Sequence, residues 1–139
     1  MSVPEHLWRF PTAAAVDSLA RRFGLPNDPS MQDWPWVVAD AHRLDEFLAA
    51  YEYGGLSDDE RFTLMEIILQ SFEDLATSTG FDPRWDRALD TIDRNIDLHA
   101  SSVWYWSALE TDDQRELWLV TPSLRSILQK HRGRLEKKA

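Results

Sequence analysis

The stretch DDERFTLMEIILQSFEDLATSTG, residues 58 to 80, constrains the fold more than any other part of the chain. Phe62, Leu64, Met65, Ile67, Ile68, Leu69, Phe72 and Leu75 cover most of the circumference of a helix. A helix apolar nearly all round is central, with neighbours on more than one side. Its start is marked by a capping box, in which the Ser57 side chain accepts a free backbone N–H and Glu60 reaches back to the serine amide. Glu66 and Glu73, seven residues apart, form the polar stripe of this helix and are read as a solvated edge rather than as buried acids with raised pKa.

The neighbours of that helix are also written in the sequence. Thr12 caps a helix with Val16, Leu19, Ala20 and Phe23 on one stripe, which Gly24 and Pro26 end. A proline-rich loop, LPNDPSMQDWPW, follows, and Leu44, Phe47, Leu48 and Tyr51 then repeat the helical spacing up to YGG. Asp82 as N-cap and Pro83 at the first position start another helix. Its apolar rhythm of Trp85, Leu89, Ile92, Ile96, His99, Val103 and Trp106 predicts one helix from about 83 to 108. Thr111 and Gln114 stand at capping-box positions before RELWLV, a helical turn or a short extended segment near 115–120. Thr121 and Pro122 open a last helix with Leu124, Ile127 and Leu128 inward, which Gly133 is expected to end. The expectation is an all-α, single-domain bundle of about five helices over residues 1–139, with a basic tail at 130–139 that frays.

Composition excludes several chemistries. The chain of 139 residues has no cysteine, so disulfides, thiolate metal sites and cysteine nucleophiles are out, and the expected compartment is the cytoplasm. Its first residues lack a basic start and an unbroken apolar run, and no segment has the roughly 18 apolar residues of a spanning helix; neither secretion nor membrane insertion is expected. His6, His42, His99 and His131 are isolated, with no H-x-x-x-H, H-E-x-x-H or E-x-x-H pattern, so no metal and no cofactor are assigned; His99 is read as a core histidine. Five glycines form no phosphate loop and no nucleophile elbow.

Charge is more informative. Residues 41 to 120 carry 18 acidic and 6 basic side chains, net minus 12, whereas residues 121 to 139 carry 1 and 6, net plus 5. An acidic body repels phosphate backbones and steers a basic partner toward it. The most ordered part of this charge is the row Asp86, Asp90, Asp93 and Asp97, spaced 4, 3 and 4 at the border of an apolar seam. Aspartate is a poor helix former and like charges at (i, i+4) cost roughly 0.2 to 0.5 kcal/mol per pair, so local stability does not select it. Acids side by side on one helix do not face each other as a catalytic pair would. The row is therefore a docking surface if exposed and unpaired, or a charge-mixed wet face if Arg87, Arg94 or others compensate it.

Seven tryptophans remain, and DWPWVVAD and SSVWYWSALE set them beside acids. Trp85 and one of Trp104 or Trp106 are read as core filler, and Trp34, Trp36 and Trp104 are assigned to a partner-binding surface, where aromatic residues supply anchoring contacts. The chain is thus expected to be a non-enzymatic acidic protein that binds a basic partner protein, in the manner of an immunity protein or antitoxin. Two readings compete. One is a small-molecule-binding or enzymatic domain with a cleft where Glu66, Glu73 or His99 meet tryptophans; the other is self-association along the seam.

Overall fold

A computed structural model describes Ser2–Lys137. Among these residues all regular structure is helical: seven α-helices and three short 3-10 turns. The chain divides into two compact units, Phe10–Thr79 and a second formed by Met1–Arg9 with Gly80–Ala139.

The 10–79 unit is arranged about one helix. It contains α1 (Ala13–Phe23), α2 (Trp34–Val37), α3 (Leu44–Tyr53) and α4 (Asp58–Thr79), and α4 packs against the other three. Phe62, Leu64, Met65, Ile67, Ile68, Leu69 and Phe72 are all buried, each worth about 1.5–3 kcal/mol of apolar transfer. Thr63 and Ser71 share that interior without cost, because their hydroxyls donate to the Asp59 and Ile67 carbonyls at 2.8 Å. The capping box is present in both directions: Glu60 N–H donates to Ser57 Oγ at 3.1 Å, and Ser57 N–H to Glu60 Oε1 at 2.9 Å. Ser18 of α1 donates to the other oxygen of Glu60 at 2.6 Å, a bond that holds this carboxyl below the usual carboxylate range and ties α1 to α4.

One element of this unit departs from expectation. The proline-rich loop contains α2, a turn of helix pinned by Trp34, whose indole N–H donates to the Pro26 carbonyl at 2.8 Å. Asp33, before it, takes a left-handed conformation with φ 53°, one that aspartate tolerates better than most residues.

The other unit contains α5 (Pro83–Arg94), α6 (Ile96–Trp106) and α7 (Thr121–Leu135), with α6 and α7 as its main packed pair. The single helix expected from 83 to 108 is two. At the break, Asn95 (φ −115°, ψ 36°) donates its side-chain amide to the Thr91 carbonyl at 2.8 Å, competing for an acceptor that its own backbone N–H also uses. The apolar rhythm runs through the break because both helices bury the same side, so spacing alone does not reveal it. With α2, this raises the count from five to seven. Between α6 and α7 there is a 3-10 turn, Gln114–Glu116, and no strand; Asp113 rather than Thr111 caps it, accepting from Arg115 N–H at 3.0 Å.

α7 does not end at Gly133. Leu135 is buried, and its carbonyl meets His6 Nε2 at 2.8 Å, so anchoring beyond the glycine outweighs the roughly 1 kcal/mol that glycine costs a helix. Residues 130 to 135 are helical and held rather than frayed, while 138 and 139 lie outside the described residues.

Candidate functional site

The aspartate row is compensated, chiefly from a distance. Asp90 pairs with Arg94 one turn on, at 3.1 Å. Asp93 accepts from Lys130 at 2.7 Å and from His131, both on α7. Asp97, which the Asn95 break places on α6, accepts from Arg134 of α7 at 2.8 Å. Asp86 is exposed and has no ion pair among the described residues. The Lys130 ammonium and the His131 ring hold the Asp93 carboxyl below its ordinary range. The basic tail and the acidic helices, opposite blocks in the sequence, thus neutralise each other across the α5–α7 and α6–α7 packing.

Exposure separates the members of the row. The side chains of Asp90 and Asp97 are 64% and 80% exposed, so their pairs are surface pairs of the weak kind, whereas Asp93 is 27% exposed and doubly held.

The three tryptophans assigned to a surface also separate. Trp34 and Trp104 are 5% and 2% exposed and belong to the core, which removes both as contacts of the folded protein. Trp104 stands one helical turn after buried Ala100 and Trp34 is held by its bond to Pro26, and acidic sequence neighbours move neither outward. Trp104 additionally lies beneath the Arg132 guanidinium, 5.1 Å from its ring. Trp36 is half-buried beside an exposed Val37 and an exposed Asp33. Trp85 is in the core as expected, and its N–H donates to Ser123 at 3.2 Å.

The exposed aromatics, among them Trp8, Phe10, Tyr53, Phe81 and Tyr105, were not singled out by sequence. Tyr105, next to last in α6, has its ring stacked on Trp118, centroids 5.5 Å apart at 27°, and Trp118 in turn leans on buried Trp106 at 4.7 Å. The signal available was the W-Y-W triplet: if Trp104 and Trp106 face inward in a helix, Tyr105 between them faces out.

The net charge is divided unequally. The 10–79 unit carries 13 acidic and 4 basic side chains, net minus 9; the other unit carries 11 of each and is neutral. The whole formal charge of the chain therefore resides in residues 10–79. Three of the four cations there, Arg21, Arg22 and Arg43, lie near the end of α1 and the start of α3. Two of them line an open groove of about 560 Å³ with Phe23, Glu46, Ala49, Ala50 and Tyr53. Arg43 is engaged there by Glu46 and by the Phe23 carbonyl at 2.7 Å.

His99 is fully buried, and Glu66 and Glu73 are half-buried on α4. No group of three or more His, Asp or Glu side chains among the described residues could hold a metal ion, and none of the described helices is long and apolar enough to cross a membrane. No protein-family model, curated protein or solved structure matches the chain.

Proposed function

We propose that the protein is a non-enzymatic interaction protein that binds a basic partner protein, in the manner of an immunity protein or antitoxin. The observation that carries this reading is the concentration of the full minus 9 charge in residues 10–79, where 13 acids face only 4 cations. An uncompensated field of that kind steers a basic partner and selects against acidic ones, with aromatic contacts supplying affinity. Exposed Asp33 beside half-buried Trp36 supports the reading within that unit. Asp86 contributes as an exposed acid with no ion pair among the described residues, and Asp90 and Asp97 as exposed acids whose weak pairs a partner's cations can exchange, while Asp93 is committed to holding α7.

The test is affinity capture from the native cell with wild type and with a D33N/E52Q/D74N variant. Recovery of a basic protein by wild type, lost at raised salt and reduced with the variant, is the expected result. Equal recovery with the variant overturns the reading.

The groove between α1 and α3 favours a second reading, a small-molecule site for a ligand with an apolar body and an anionic end, since Phe23 and Tyr53 flank Arg22 and Arg43. A carboxylate ligand that raises the melting temperature, and fails to do so with R22Q, would decide for it.

A further inference from the structure

We propose that Tyr105, Trp118 and Leu119 form a docking surface for an arginine- or lysine-rich segment, whose cation stacks on the exposed aromatic faces. The proposal rests on the basic-partner reading and supplies the aromatic contacts that Trp34 and Trp104, being buried, do not. Tyr105 is 42% and Leu119 46% exposed, and the half-buried Trp118 lies flat against Tyr105. A guanidinium or ammonium group over such rings is attracted by their negative π-faces.

The occupant is chosen by charge. The segment that leaves Tyr105 and returns to stack Trp118 on it carries Glu110, Asp112, Asp113 and Glu116 against a single cation, Arg115. Arg115 is already paired with Asp113 at 3.0 Å, and Glu116 accepts from the Thr111 hydroxyl at 2.8 Å. Asp112 is exposed and has no ion pair among the described residues. An acidic segment is repelled here. A purely apolar one leaves carboxylates desolvated without compensation, and a second copy of this chain brings two sets of these acids together. A basic segment meets both the rings and the acids.

The surface is also held in place. Arg125 donates to the Ser107, Ala108 and Thr111 carbonyls at 2.6, 2.7 and 2.9 Å, clamping a turn in which Ala108 sits at φ 49°. The Thr121 hydroxyl donates to the Trp106 carbonyl at 2.8 Å and fixes the returning end. A preformed surface loses little freedom when it binds.

The test titrates octa-arginine into the full chain at low ionic strength, following the indole N–H resonances by NMR. Wild type is expected to bind with the Trp118 resonance shifted. Y105S should weaken binding roughly two- to fivefold, the size of an exposed cation–π contact, and D112N by about twofold, with melting temperatures close to wild type. Binding unchanged by Y105S and D112N but reduced by D33N/E52Q/D74N overturns this surface and leaves the basic-partner reading standing. No binding of octa-arginine by wild type overturns both. Self-association that Y105S abolishes overturns the choice of occupant.

Discussion

The two units of this chain use similar numbers of acids in opposite ways. In residues 80–139 Asp93 of α5 and Asp97 of α6 are matched by cations of α7 and Asp90 by Arg94 of its own helix, and with residues 1–9 the unit is neutral. In residues 10–79 the interior is built on the apolar α4, Glu60 caps that helix and Asp40 caps the turn Ala41–Arg43, and a net surplus of nine negative charges remains. One unit spends most of its helical charge on its own architecture and keeps open acids such as Asp86 and Asp112; the other carries the net surplus. An ordered row of aspartates is thus a poorer sign of a docking surface than a numerical surplus of acids over cations in one unit.

The comparison can be broken at four places, from the largest expected effect to the smallest. Ile68→Ala in α4 removes buried methyl groups from the one helix that organises the 10–79 unit, and should cost about 2–5 kcal/mol in chemical denaturation. A loss under about 1 kcal/mol would mean that α4 is not the organising core. Arg125→Met should cost about 2–3 kcal/mol, because three carbonyls lose a charged donor. That loss should be accompanied by altered fluorescence of the nearby indoles.

Asp93→Asn should cost about 1 kcal/mol at neutral pH, from the ion pair with Lys130 and the hydrogen bond with the His131 ring lost on α7. Its pH dependence has a definite sign. The folded carboxyl titrates below its unfolded value of about 3.9, so its contribution is complete above that pH and is lost as pH falls through the lowered value. Wild type should therefore exceed D93N in stability above about pH 4, and the two should converge in stronger acid. Asp86→Asn, by contrast, should change stability by less than about 0.5 kcal/mol, since no ion pair among the described residues is lost. Equal effects of D93N and D86N would remove the distinction between a compensated and an open carboxylate.

Much of the fold was legible in the sequence because it is local. The all-helical class, the central helix, the Ser57–Glu60 box, the Thr12 and Asp82 caps and the Gly24 terminus each depend on residues within four positions of one another. The break at Asn95 was hidden by an apolar rhythm that continues across it, and the persistence of α7 past Gly133 by a bond from His6, 129 positions away. The site was less legible for the same reason. Arg87 and Arg94 were visible as near neighbours of the aspartates, but Lys130, His131 and Arg134 reach them from 37 and 38 positions on, through packing that periodicity does not encode. Trp34 and Trp104 were misplaced because acidic sequence neighbours say nothing about which side of a helix an indole occupies.

The most direct test of unequal charge use compares two matched triple variants, D33N/E52Q/D74N in the 10–79 unit and D86N/D90N/D97N in the other. Each removes three negative charges, and each is titrated with octa-arginine across a range of salt. The 10–79 variant is expected to weaken binding and flatten its salt dependence more than the other does. A larger loss from the D86N/D90N/D97N variant would contradict the account and return the docking surface to the aspartate row.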